Sequence, residues 1–134
     1  MSQKPIQIQK PEQVYLVRIL LIDDDPFILT MLSFWLEEKG YEIKTTENGT
    51  DAISELLNFR PHIVITDFRL EDMDGITLLT EIQKYHPAVP VIMLSGNKIS
   101  EHPGIFKFLA KPVEPDELFH CIHSALEFIN VEEG

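Results

Sequence analysis

Apolar residues along this chain follow two alternating rhythms. Five short runs, over 17–23, 41–46, 62–67, 89–94 and 106–110, read as strands, and the first, third and fourth are almost unbroken aliphatic sequence. Between and after them the apolar positions recur at helical spacing. They are Phe27, Ile28, Met31, Leu32, Trp35 and Leu36 over 26–39, Ala52, Ile53, Leu56 and Leu57 over 50–59, Leu78, Leu79 and Ile82 over 76–85, and Leu118, Phe119, Ile122, Leu126 and Ile129 over 115–129. Pro26 and Gly40 bracket the first helix, Thr50 is placed to cap the second, Pro61 ends it, and Pro115-Asp116-Glu117 leads in the last. Strands alternating with helices predict right-handed βαβ units, and hence a doubly wound α/β fold with a parallel sheet covered on both faces. The domain spans 17–130, with 131–134 a C-terminal tail. Residues 1–16, which carry Pro5, Pro11 and several glutamines, are expected to form a flexible lead-in or to add an edge strand.

Composition narrows the function classes. At 134 residues, 44% apolar and 25% charged, the chain suits one soluble domain with one core. Its formal charge of −11 argues against direct contact with nucleic acid or an anionic membrane surface. The apolar runs are too short to span a bilayer, and no apolar signal core follows Met1. Cys121 is the single cysteine, which rules out an internal disulfide and fits a reducing cytoplasm, the expected location. Its helical setting makes it a small core residue.

The polar residues of interest stand at strand ends. Ile19-Leu20-Leu21-Ile22 runs into Asp23-Asp24-Asp25, and Ile63-Val64-Ile65-Thr66 runs into Asp67. The fourth run ends at Ser95 and the fifth at Lys111. In open parallel sheets ligands bind outside the carboxyl ends of the strands. Crowded carboxylates disfavour one another's ionisation, and a hard cation such as Mg²⁺ relieves that cost. A carboxylate is also a competent nucleophile toward phosphorus. Asp67 stands alone and is the expected nucleophile, with the cluster as metal cage and Lys111 and Ser95 as neutralising and hydrogen-bonding groups. Taken singly, Ser95 would be a strand-end cap and Lys111 a surface lysine. Asp25 would support the cluster or cap the first helix. His120 and His123 read as ordinary helix residues, Asp72 and Asp74 as loop residues, and Gly75 as a turn glycine with positive φ.

Four segments together resemble the receiver domain of the bacterial two-component response-regulator family, over about 17–130. They are Ile19 to Asp25, Ile63 to Gly75, Val91 to Gly96, and Phe108-Leu109-Ala110-Lys111-Pro112. The resemblance implies a flavodoxin-like sheet in the order 2-1-3-4-5, counted along the predicted strands. It implies Asp67 as a phosphoacceptor served by a sensor histidine kinase or phosphotransfer protein, and Mg²⁺ held by Asp23, Asp24, Asp67 and the backbone carbonyl of Arg69. Ser95 would be a switch hydroxyl, Lys111 its charge partner and Phe108 a switch aromatic, although core packing explains Phe108 equally well. Lys111-Pro112 would be cis. The role implied is signalling through altered affinity for a partner protein. Its only chemistry is the chain's own phosphorylation and dephosphorylation, so it is not an enzyme in the ordinary sense.

Two departures from the family stand out. Glu71 replaces a usual proline after Asp67, and only fifteen residues separate Ser95 from Lys111, fewer than the family usually has. Residues 97–104 are polar and broken by Pro103 and Gly104, so the fourth helix is expected to be shortened or absent. That leaves a pure interaction module, never phosphorylated, as an alternative. An aspartyl-phosphate phosphatase is disfavoured, because Arg69 stands where such an enzyme needs a second carboxylate.

Overall fold

The computed structural model describes residues 7–10, 13–97 and 101–133. In chain order the elements are β1 (Gln7–Lys10), β2 (Gln13–Leu16), β3 (Arg18–Ile22), α1 (Pro26–Glu38), β4 (Glu42–Thr46), α2 (Gly49–Asn58), β5 (Ile63–Asp67), α3 (Gly75–Tyr85), β6 (Val91–Ser95), β7 (Lys107–Ala110) and α4 (Pro115–Glu133). A strand sends successive side chains to opposite faces, so runs apolar at both parities can be buried twice over. Ile19, Leu21, Ile63, Ile65, Ile92 and Leu94 pack with Leu29, Leu32 and Leu36 of α1 and Leu118, Cys121, Ile122 and Ala125 of α4. Leu20, Ile22, Val64, Val91 and Met93 pack on the other face with Ala52 and Leu56 of α2 and Leu78, Leu79 and Ile82 of α3. The five parallel strands lie in the order β4-β3-β5-β6-β7, which is the expected 2-1-3-4-5.

Local differences from the sequence reading have identifiable causes. Within the expected lead-in, β1 and β2 pair antiparallel with each other and form a separate two-stranded sheet, so neither adds an edge to the main one. Phe27 and Leu57 are exposed, at 73% and 60%. The buried stripe of α1 is Leu29, Leu32 and Leu36, and Phe27 lies roughly 200° around the helix from Leu29. Leu57 lies roughly 100° from Leu56 and falls off the buried side of α2. The cap of α2 is Asn48, whose side chain accepts from Asp51 N–H, and not Thr50. Nothing after Ile129 breaks a helix until Gly134, and α4 continues to Glu133 through most of the expected tail.

Between β6 and β7 no helix occurs among the described residues, while 98–100 lie outside them. Residues 101–106 instead make a turn, with Ile105 N–H donating to His102 O at 3.0 Å. Ile105 is buried against the α3 side of the sheet. Gly104 lies so close to α3 that a Cβ there would sit 2.6 Å from Gln83 Nε2 and 3.1 Å from Leu79 Cδ2. An irregular segment thus covers core that a helix would otherwise cover.

Gly75 was expected at positive φ, yet among the described glycines only Gly40, just past α1, has one (φ 93°). Gly75 is needed for space. A Cβ there would lie 2.7 Å from Met93 Sδ and 3.1 Å from Phe68 O, and the second of these is backbone. Gly75→Ala is therefore expected to destabilise the fold by ~1–3 kcal/mol. Urea denaturation would measure it, and an unchanged midpoint would show that the contact yields freely.

Candidate functional site

Strand register assembles the polar strand ends. Ile22 pairs with Thr66, which sets Asp23 level with Asp67. Asp67 pairs with Leu94, placing Ser95 one residue beyond, and Ser95 pairs with Ala110, placing Lys111 next to it. Three further backbone bonds extend these ladders: Asp23 N–H to Thr46 O at 3.2 Å, Phe68 N–H to Leu94 O at 2.8 Å, and Lys111 N–H to Ser95 O at 2.9 Å. All four strand ends therefore meet at one rim of the sheet.

The acids converge as well. Asp23, Asp24 and Asp67 each present a carboxylate oxygen, and these oxygens lie within 4.8 Å of one another. Lys111 Nζ donates to Asp23 Oδ2 at 3.0 Å and lies 3.2 Å from Asp67 Oδ1. Asp23 is only 2% exposed, and its Oδ1 also accepts Asp25 N–H at 2.9 Å. Asp25 in turn caps α1 by accepting Phe27 N–H at 2.9 Å, which fills one of the two roles expected of it and leaves Asp23 and Asp24 as the inner pair.

Burial pushes the Asp67 carboxyl above the ordinary aspartate range; the Lys111 charge opposes that, the Asp23 charge adds to it, and the Arg69 backbone N–H lowers it again. For Lys111, burial works against the charged ammonium, but its hydrogen bonds and attraction to Asp23 and Asp67 prevail and hold its pKa above the usual lysine value. The two directions are compatible, because the ammonium sits closer to Asp23 than to Asp67. The donor set of Asp23, Asp24 and Asp67 is all hard oxygen, the kind that Mg²⁺ takes.

The other residues singled out from the sequence occupy varied positions. Ser95 is buried at the rim, but its hydroxyl donates to Asn97 O at 3.0 Å and accepts Asn97 N–H at 3.1 Å, closing a local turn instead of reaching an acid. Phe108 is half-buried against the α2–α3 side of the core. Arg69 exposes its side chain, while its main chain faces Asp67. The Lys111–Pro112 peptide is cis. His120 and His123 are exposed helix residues, and Cys121 is buried, with its thiol pushed up to about 11 chiefly by that burial.

Asp72 and Asp74 are more than loop residues. Asp74 caps α3 through Thr77 N–H at 2.8 Å, and the spacing just before an apolar helix was the available signal. Asp72 binds the first turn of α2, whose partners lie 22 and 23 residues away, so no local pattern announces it. No helix among the described residues is long and apolar enough to cross a membrane.

Residues 19–123 match the response regulator receiver domain family. Over 115 residues the chain is 39% identical to the transcriptional regulatory protein GlrR of Escherichia coli (strain K12), covering 81% of this chain and 26% of that protein. It is 33% identical over 121 residues to the nitrogen assimilation regulatory protein NtrX of Azorhizobium caulinodans, covering 84% of this chain and 27% of that protein. The chain thus spans about a quarter of the length of these relatives. Among solved structures, a CheY-like response regulator receiver domain protein from Methanospirillum hungatei JF-1 superposes with a TM-score of 0.81 at 30% identity. That match covers 89% of this chain and 99% of the other.

A carboxyl whose folded-state pKa exceeds its unfolded value favours folding only while protonated. That contribution disappears as pH rises through the folded pKa, so ionised Asp67 costs stability at neutral pH. Asp67→Asn is accordingly expected to raise the melting temperature of the cation-free protein at pH 7 by ~3 °C, and to lose that advantage at pH 3. Calorimetric scans at the two pH values test this, and a lower melting temperature at pH 7 would show that the Lys111 pairing outweighs the cost of burial.

Proposed function

From the premise that this chain belongs to the response regulator receiver domain family, we propose that it is a phosphoacceptor switch in which Asp67 takes a phosphoryl group from a histidine kinase or phosphotransfer protein. The observation that carries this reading is the Lys111 ammonium lodged between Asp23 and Asp67 beside a third carboxylate, Asp24. A cationic group and a cluster of hard oxygen donors at one strand end meet the two needs of phosphoryl transfer, positioning and charge neutralisation.

In the transfer, a carboxylate oxygen of Asp67 attacks phosphorus, the P–O bond of an acyl phosphate forms, and the P–N bond to the donor imidazole breaks. The imidazole nitrogen keeps the electron pair and takes up a proton. Lys111, already held within reach of Asp67, neutralises a phosphoryl oxygen. Asp23, Asp24, Asp67 and the Arg69 backbone carbonyl are the groups proposed to hold Mg²⁺, which when bound supplies further neutralisation of the phosphoryl charge. The Ser95 hydroxyl, engaged with Asn97 in this structure, must leave that turn to reach a phosphoryl oxygen. Reversal of the modification is hydrolysis, in which water attacks phosphorus and the Asp67 carboxylate leaves.

The output we propose is a change in affinity for a partner protein or for another segment of a longer chain. Two of the relatives named above are regulators, the first by its name of transcription. At a net charge of −11 this chain is poorly suited to contact DNA itself. The irregular 101–106 segment favours a second reading, an interaction module that is never phosphorylated.

Incubation of the full chain with acetyl phosphate and Mg²⁺, followed by intact-mass spectrometry, separates the two. We expect the mass of one phosphoryl group to be gained by the wild type and not by Asp67→Asn. Absence of the gain, or its persistence in the variant, would remove Asp67 from the role. The Arg69 side chain stands two residues after Asp67 and is proposed to govern access of the attacking water. Arg69→Ala should change the half-life of the phosphorylated form by ~3-fold or more, the equivalent of ~0.6 kcal/mol in barrier height. An unchanged half-life would relieve Arg69 of that role.

A further inference from the structure

The loop joining β5 to α3 reaches α2 through two neighbouring side chains. Asp72 Oδ1 accepts Gly49 N–H at 2.9 Å, while Oδ2 accepts Thr50 N–H at 2.9 Å and the Thr50 hydroxyl at 2.8 Å. The first amides of a helix have no partner within it. Asn48 takes Asp51 N–H at 2.8 Å, so Asp72 supplies the acceptors that the local cap leaves out. A carboxylate there also meets the positive end of the helix dipole. Met73 fills the space beside Gly49 so closely that a Cβ on Gly49 would collide with its sulfur.

The same loop carries the main chain of Arg69, whose N–H faces the Asp67 carboxylate and favours its ionised form. Inside the loop, Leu70 N–H donates to Met73 O at 3.1 Å, Arg69 bridges to Asp74, and Leu70 is buried. The loop is therefore a small bonded unit that would move as a piece, and Glu71 gives it no proline stiffness. Its polar attachment to a neighbouring element at the tip is Asp72.

We propose that Asp72 is a positioning residue that clasps the first turn of α2 and thereby holds the Arg69 main chain in place against the Asp67 site. This rests on the reading of Asp67 as a cation-assisted phosphoacceptor, and it adds α2 to the parts that set the site's geometry. A residue that only capped α2 would stabilise that helix and leave Arg69 indifferent.

Two measurements on the full chain distinguish these roles: residue-resolved amide hydrogen exchange without cation, and Mg²⁺ titration by calorimetry. In Asp72→Ala, exchange should accelerate roughly tenfold at Gly49, Thr50 and also Arg69, and the Mg²⁺ dissociation constant should rise roughly fivefold. Asp72→Asn, which keeps one carbonyl acceptor, should fall between, and Thr50→Val, which loses only the hydroxyl bond, should show the smallest change. These two milder variants carry the test if Asp72→Ala fails to fold. Faster exchange at Gly49 and Thr50, with Arg69 exchange and Mg²⁺ affinity both within twofold of wild type, would reduce Asp72 to a helix cap and overturn the proposal. Failure of the wild type to bind Mg²⁺ saturably would instead sink the cation-assisted reading, while Arg69 exchange in the cation-free protein would still judge the tether.

Discussion

Three carboxylates gathered at the end of a buried sheet form the constraint on which the rest of this structure turns. Asp23 is almost wholly removed from water, and Asp24 and Asp67 bring oxygen atoms within 4.8 Å of it and of each other. Charges so placed repel strongly in a medium that screens poorly. The Lys111 ammonium, reaching in from the far side of Ser95, bonds Asp23 and lies beside Asp67. Among the described residues, one ammonium stands against three carboxylates in this cluster. That arrangement suits the rim to a further cation, while burial chiefly gives ionised Asp67 its electrostatic cost.

Stability to bear this cost comes from both faces of the sheet. Ile19, Leu21, Ile65 and Ile92 bury against α1 and α4, while Leu20, Ile22, Val64 and Met93 bury against α2 and α3. Burying an aliphatic side chain contributes ~1.5–3 kcal/mol, and β3, β5 and β6, which lead to Asp23, Asp67 and Ser95, are each anchored by several. The rim residues themselves are thus free to be chosen for chemistry. The irregular 101–106 segment belongs to the same economy, since Ile105 and the close approach of Gly104 to α3 cover core without a helix.

The local chemistry of each element was legible in the sequence to different degrees. Runs such as Ile63-Val64-Ile65 declare a strand buried on two sides, and the breaks at Pro103 and Gly104 argue against a helix over the described residues 101–106, because both are properties of adjacent residues. Strand-end chemistry pointed to Asp23, Asp24, Asp67 and Lys111, and the register of neighbouring strands brings them together. Thr50 was a reasonable cap by type, yet Asn48 takes that place and the Thr50 hydroxyl turns to Asp72. Gly75 was read as a conformational glycine, whereas what matters there is the space claimed by Met93 and Phe68. Phe27 and Leu57 belong to apolar patterns but sit outside the buried stripes, since a helix buries only the side that a neighbour happens to cover.

What the sequence determined by itself is the set of elements, their order and the chemical character of the strand ends, because hydrophobic period and residue type are encoded within a few positions of one another. Tertiary structure alone decided the pairings between residues far apart in the chain. Lys111 meets an acid 88 residues earlier in the chain, and Asp72 meets amides 22 and 23 residues earlier. Such pairings depend on distances between elements that exist only after the sheet has formed and the helices have packed on it, and no spacing along the chain records them.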